Sequence, residues 1–266
     1  MGDVTGTRHL VLLHGMGATG EVWLPWAPLL ERRWQGRWLA PDLAGHGWSP
    51  PLSEAGYSFA ALARRVADGL DALRLGPHDR LVLLGHSLGG VVALSLAARQ
   101  RGLPVDAVVG LGIKVVWSPA ELAKADELAA RPVTWFATRD EAARRYLRVS
   151  GLAGLFAPDH PVVDAGLRRE DGRGHRSHPG GDERGGGRWR LAMDPAAFAV
   201  GEPDMPALLA AAADAQVLLA RGETDPMVTD AQLKAFGVPV ATLPGLGHHA
   251  HVEDPAAVLA LLDPYL

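Results

Sequence analysis

Six short stretches of this sequence, residues 9–13, 37–41, 80–84, 106–111, 216–220 and 239–243, are four to six residues long, and several are apolar at nearly every position. A strand with one wet face alternates apolar and polar residues. A continuous apolar run requires both faces to be covered, which is the condition of a parallel sheet with helices on each side. Between two of these runs, residues 58–75 place Phe59, Leu62, Val66, Leu70 and Leu73 at helical spacing, with Arg64, Arg65, Asp68 and Asp71 on the opposite face. The expected fold class is therefore α/β, a mostly parallel doubly wound sheet. A chain of 266 residues has room for one large domain or for a core with an insertion.

The strand–helix rhythm breaks between Trp117 and Met205. Ser118-Pro119-Ala120-Glu121 and Thr138-Arg139-Asp140-Glu141 read as capping boxes, in which a hydroxyl caps the first free amides and a glutamate reaches back from the third position. Asp194-Pro195 reads as a third helix start. The expected organisation is a core built from residues 1–113 and 205–266, with residues 114–204 inserted as a helical cap. Inside that cap, residues 170–188 hold seven glycines and no apolar residue before Trp189. Such a segment cannot offset its ordering entropy by burial, so a flexible surface loop is expected there. His175, His178, Asp182 and Glu183 could ligate a metal, but glycines on every side leave them unpositioned, and no metal site is expected.

Composition removes several function classes. The net charge of -4 offers no electrostatic footprint for nucleic acid. With no cysteine, thiol nucleophiles, disulfides and Cys-ligated metals are excluded. No apolar run approaches the ~20 residues of a membrane span. The first residues lack the apolar run of a signal peptide, so no membrane partner and a cytoplasmic location are expected. Nothing in the sequence calls for a cofactor.

The third apolar run leads straight into Gly85-His86-Ser87-Leu88-Gly89. Gly-x-Ser-x-Gly between a buried strand and a helix is the nucleophile elbow, in which glycines two positions either side let strand and helix approach closely and the serine is held above the sheet edge. Residues 88–101 are a plausible following helix. A serine hydroxyl alone is a poor nucleophile and needs a base and an orienting acid. Downstream, Glu223 and Asp225 follow the strand at 216–220, and His248, His249 and His251 follow the strand at 239–243. Both loops leave the same sheet edge as Ser87, where active sites of open α/β sheets form.

With these motifs in place the chain resembles the α/β-hydrolase fold superfamily, in its group of small capped esterase-like enzymes. His14-Gly15-Met16-Gly17 is similar to the family's oxyanion loop, residues 42–49 to its Asp-x-x-Gly-His-Gly-x-Ser turn, and Gly247-His248 with Glu253-Asp254-Pro255 to its C-terminal histidine motif. The resemblance implies Ser87 as nucleophile, His248 as base and Asp225 as the carboxylate, with Glu223 in reserve for the acid and His251 as the alternative base. It also implies an oxyanion hole made by the main-chain amides of Met16 and Leu88. His14, Asp42, His46 and His86 would then be structural. Trp48 and Trp117 are candidate pocket residues, and Lys114 a candidate anchor for the cap.

The activity implied is that of a carboxylesterase-like serine hydrolase acting on a small, hydrophobic substrate through an acyl-enzyme. Hydrolysis of carbon–carbon bonds in diketones, lactone opening and cofactor-free perhydrolysis use much the same residues on this fold. A slow-turnover ligand receptor is the non-enzymatic alternative.

Overall fold

The structure, a computed structural model, describes residues 6–52, 56–76, 78–98, 102–171, 176–177 and 187–265. Its strands are β1 (Arg8–Leu13), β2 (Arg37–Leu39), β3 (Arg80–His86), β4 (Val105–Leu111), β5 (Leu167–Asp171), β6 (Arg176–Ser177), β7 (Gly187–Leu191), β8 (Gln216–Gly222) and β9 (Val240–Leu243). Six of them form one sheet in the order β2-β1-β3-β4-β8-β9, and every neighbouring pair is parallel. All six apolar runs predicted as strands are in this sheet.

The continuous apolar runs follow from cover on both faces. Val11, Leu13, Leu81, Leu83 and Val108 point into one core, with Leu62, Val66 and Leu70 of α2 (Phe59–Asp71) and with α3 (Leu88–Ala98). Leu10, Leu12, Val82, Leu84 and Val109 point into a second core containing Trp23, Trp26 and Leu30, the last from α1 (Ala27–Arg33). Each fully buried leucine contributes roughly 1.5–3 kcal/mol relative to exposure. Ser58 caps α2 by accepting from the Ala61 N–H at 3.2 Å.

Between β4 and α7 (Met205–Ala211), the chain forms α4 (Pro119–Ala129), α5 (Arg139–Val149) and α6 (Pro161–Ala165), strands β5 to β7, and a 3-10 segment, Pro195–Val200. Both expected capping boxes are formed, Ser118 with Glu121 on α4 and Thr138 with Glu141 on α5. Asp194 caps the 3-10 segment through the Ala196 N–H. The expectation that this insertion holds only helices is corrected. β5, β6 and β7 make an antiparallel sheet in the order β6-β5-β7, so parts of the glycine-rich stretch, Glu170 and residues 176–177 and 187–188, are strand rather than loop. Arginine side chains of these strands lie against aromatic rings: the Arg169 guanidinium is 5.9 Å from the Trp189 ring centre and that of Arg188 3.8 Å from the Trp135 ring. His175, His178, Asp182 and Glu183 lie outside the described residues.

The insertion is tied to the core by the Asp194 N–H, which donates to the Gly45 carbonyl at 2.7 Å, and by the Tyr57 hydroxyl, which donates to Asp194 at 2.8 Å. The remaining helices, α8 (Asp230–Lys234), α9 (Ala250–Glu253) and α10 (Pro255–Leu259), flank the last strands. Among the described residues no helix is long and apolar enough to cross a membrane.

Candidate active site

Three loops meet above the carboxyl end of the sheet, following β1, β3 and β8, with the chain after β9 as a fourth. β1 and β3 are hydrogen-bonded neighbours, Leu13 opposite Gly85, although β2 separates them in sequence. This switch in strand order brings the loops after β1 and β3 together.

Ser87 stands at the apex of the turn from β3 to α3 with φ of +50°, a left-handed conformation that a residue with a Cβ adopts only under constraint. Its N–H is anchored to the Leu111 carbonyl of β4 at 2.8 Å. The flanking glycines are required by closeness: a Cβ on Gly85 would lie 2.2 Å from the Gly89 carbonyl oxygen, and one on Gly89 2.3 Å from that of Leu13. Leu88 opens α3, so its amide belongs to the first turn, where N–H groups lack a helical acceptor. Met16 and Leu88 both line the cavity that Ser87 faces.

Two buried histidines brace the loop after β1. The Leu43 N–H donates to His14 Nε2 at 2.9 Å and the Gly17 N–H to His46 Nε2 at 3.2 Å, while each ring's Nδ1 faces a carbonyl, that of Gly15 or Ala44. Each ring therefore accepts at one nitrogen and donates at the other, the pattern of neutral imidazole. Asp42 completes the brace by accepting from the Gly20 and Trp48 amides at 2.8 and 2.7 Å. Asp42 and His46 make these bonds and not one to each other among the described residues.

The Asp225 carboxylate, fully buried, lies with Oδ2 3.0 Å from His248 Nδ1 and accepts the Met227 N–H on Oδ1 at 2.8 Å. An ionised carboxylate only accepts, so Nδ1 carries the proton and Nε2 keeps its lone pair. Gly112, with φ of +63°, closes over the pair from the end of β4: a Cβ there would lie 3.2 Å from His248 Nδ1 and 3.3 Å from Asp225 Oδ2. Glu223 is not in this arrangement; its carboxylate accepts from the Gly245 amide at 2.8 Å and shapes the turn. His251 is buried between Trp23 and His86, with ring centres 4.6 and 4.2 Å away, and has no carboxylate partner among the described residues.

His248 belongs to a cluster of four imidazoles. The His86 ring centre is 4.7 Å from that of His248 and 5.0 Å from that of His249, and His86 Nε2 meets the His248 carbonyl at 3.0 Å. Burial drives His86 and His251 well below the ordinary imidazole value, drives His14 and His249 down as well, and holds His46 at about 3. Unfolded, each of these rings takes up a proton at about pH 6.5, whereas folded it stays neutral to lower pH. Stability is therefore full above about pH 6.5 and falls as pH drops below it, by up to about 1.4 kcal/mol per pH unit for each ring still neutral. The melting temperature is expected to be level from pH 7 to 8.5 and to drop by more than about 5 °C between pH 6.5 and 5.5. A level melting curve down to pH 5.5 would contradict this.

The cavity in front of Ser87 has a volume of about 360 Å³ and a mainly apolar lining that includes Phe59, Val91, Trp117 and Phe198. Trp117, a candidate pocket residue, is among the residues lining this cavity. Trp48 is not: it is 49% exposed and its ring lies 3.6 Å from the Arg168 guanidinium, so it pairs with the insertion instead of lining the cavity. Lys114 forms an ion pair with Glu121 of α4, joining the end of the sheet to the insertion. Among the described residues no group of three or more His, Asp or Glu could hold a metal ion.

Sequence reasoning missed Arg221. Its buried guanidinium donates to the carbonyls of Val228, Glu223 and Asp225 at 2.8, 2.8 and 3.2 Å and to Asp230 at 2.9 Å, which fixes the loop bearing Asp225. The available signal was a charged residue closing an apolar strand. Phe59, read only as part of the apolar face of α2, and Phe198, whose position depends on the insertion's path, were also missed as lining residues.

Residues 10–261 match the family model described as the alpha/beta hydrolase family. A 2-hydroxy-6-oxo-2,4-heptadienoate hydrolase of Pseudomonas putida is 32% identical over 126 residues, covering 43% of this chain and 45% of the relative. The chain spans about half the length of the curated relatives it matches. Among solved structures, E-2-(acetamidomethylene)succinate hydrolase superposes with a TM-score of 0.70 at 23% identity, over 97% of this chain and 92% of that one. The thioesterase domain from the curacin biosynthetic pathway gives 0.71 at 19% identity, over 96% and 90%. At these identities the structural likeness speaks for the fold.

Proposed function

Because this chain belongs to the alpha/beta hydrolase family, we propose that it is a serine hydrolase cleaving carboxylic esters of apolar acids through an acyl-enzyme, with Ser87, His248 and Asp225 as its triad. The observation that carries this reading is the 3.0 Å contact between His248 Nδ1 and the buried Asp225 carboxylate, on the sheet edge that holds Ser87 in its left-handed turn. With Nδ1 committed to Asp225, Nε2 is the basic nitrogen available for a proton.

In the reaction, Ser87 Oγ bonds to the substrate carbonyl carbon as its proton passes to His248 Nε2. The carbonyl oxygen becomes an anion, and the amides of Leu88 and Met16 are the donors assigned to hold it. Each donor of this kind contributes roughly 3 kcal/mol to lowering the barrier. Collapse of the tetrahedral species breaks the bond to the alcohol oxygen, which leaves with the proton from His248. Water then gives a proton to His248 and its oxygen to the acyl carbon, and the acid departs as the proton returns to Ser87. Asp225 stays ionised and stabilises the imidazolium. No cofactor or metal is required by these steps. The braced loop at His14 and His46 keeps the donors fixed, so little reorganisation accompanies charge formation.

A second reading is favoured by one observation, the relative named for hydrolysis of 2-hydroxy-6-oxo-2,4-heptadienoate. Carbon–carbon hydrolysis would use the same residues but requires a cavity that accepts an anionic diketone acid.

A small fluorophosphonate tests the proposal by intact mass and peptide mapping. One adduct on Ser87, formed slowly or not at all by a His248→Ala variant, is the expected result. A protein left unlabelled, or labelled elsewhere, would remove Ser87 as an activated nucleophile.

A further inference from the structure

The cavity in front of Ser87 carries four charged side chains in its lining: Lys114, Glu121, Lys124 and Asp126. They are not equivalent. The side chain of Lys124 is 56% exposed and pairs along α4 with Glu127 at 2.7 Å, so its charge belongs to solvent. That of Lys114 is only 13% exposed, and its Nζ lies 4.7 Å from the centre of the Trp117 ring. Lys114 follows the end of β4 after Gly112 and Ile113, and Trp117 lines the same cavity.

The Lys114 ammonium is already occupied. It donates to Glu121 Oε1, while Oε2 of the same carboxylate accepts from the Ser118 N–H and hydroxyl, both at 2.9 Å. Glu121 is thus held at one oxygen by Lys114 and at the other by the N-cap residue Ser118, and cannot swing aside without giving up the helix cap. Those donors, Lys114 foremost, also hold its carboxyl down at about 2, so it is anionic throughout the working pH range.

We propose that the Lys114–Glu121 pair makes this cavity selective for uncharged acyl chains, with Glu121 screening Lys114 from anionic substrates. The inference rests on the esterase reading of the same site. An anionic group entering the cavity would lose its water, meet apolar carbon, and find the best-buried cation neutralised by a fixed carboxylate. A neutral chain loses nothing there and covers apolar surface. This distinguishes the site from one built to take diketone acids, whose carboxylate needs an open cation.

Two esters that differ only at the distal carbon test this: 4-nitrophenyl hexanoate and mono-4-nitrophenyl adipate, in which a carboxylate replaces the terminal methyl. The wild-type protein is expected to favour hexanoate by about 100-fold in kcat/KM. In Glu121→Gln, the amide can still serve the capping box while the negative charge is gone. The adipate-to-hexanoate ratio of kcat/KM is expected to rise about 10-fold or more, chiefly through a lower KM for adipate. Adding Lys114→Met to Glu121→Gln should abolish the gain, which a merely structural effect of residue 121 would not do.

A folded Glu121→Gln protein with an unchanged ratio, or a gain that survives in the double variant, would overturn the inference. Should Glu121→Gln fail to fold, Lys114→Met alone answers, because an uncompensated Glu121 should deepen discrimination against adipate about 3-fold or more, and an unchanged ratio there counts against the pair. A wild-type protein that hydrolyses neither ester would bring down the esterase reading and this inference together. Hydrolysis of hexanoate with no shift in any variant would overturn the charge selection alone.

Discussion

Ser87→Ala is expected to lower kcat on any ester substrate by about 10³-fold or more while leaving the protein folded. The hydroxyl is the only group lost. The N–H of residue 87 still has the Leu111 carbonyl to anchor it, and alanine bears the left-handed turn at no greater cost than serine, since both carry a Cβ. Binding should persist, because the apolar lining and the amides assigned to the oxyanion are untouched. The check is kcat for wild type and variant on one aryl ester, with melting temperatures measured alongside. A variant that retains more than about a tenth of the rate would mean that bond breaking does not pass through Ser87.

Arg221→Met should have the largest effect on stability. One guanidinium satisfies three main-chain carbonyls and Asp230, and its side chain is only 9% exposed. Methionine fills the volume but donates nothing, leaving the Glu223, Asp225 and Val228 carbonyls without that donor and Asp230 without its guanidinium. Losing one member of such a buried charged network costs about 3–5 kcal/mol, or about 10 °C in melting temperature for a chain of this size. Activity should fall as well, by about 10-fold or more, because the loop that presents Asp225 to His248 loses its fixed path. Arg221→Lys should rescue little, since one ammonium cannot reach acceptors arranged around a planar fork. Melting curves and pH–rate profiles of both variants provide the test. A wild-type melting temperature in Arg221→Met would show that the loop holds itself.

The six strands of the main sheet could be read directly because burial on both faces writes itself as uninterrupted apolar residues, as in Leu81-Val82-Leu83-Leu84. Caps were equally legible, being short-range chemistry: Ser118 with Glu121 and Thr138 with Glu141 satisfy each other within one turn. The small antiparallel sheet was not legible. The guanidiniums of Arg168, Arg169 and Arg188 lie against Trp48, Trp189 and Trp135, and no local pattern tells which tryptophan an arginine will cover. The same limit hid Arg221, whose partners sit on a loop that only the fold brings within reach. Trp48 failed for a related reason. Its place beside the Gly47 turn suggested the cavity, but the insertion crosses that turn at Asp194 and draws the ring to Arg168.

The pairing of β4 with β8 joins neighbours that are separated in the chain by all of residues 112–215. Closing so long a gap is entropically slower than zipping up adjacent elements, so β8 is expected to dock late in folding. β1, β3, β4 and α3 precede that gap and already contain the strained turn at Ser87, whereas Asp225 and His248 come after it. The turn at Ser87 is therefore expected to form before His248 is brought to it, so that the partly folded protein carries a hydroxyl with nothing positioned to take its proton.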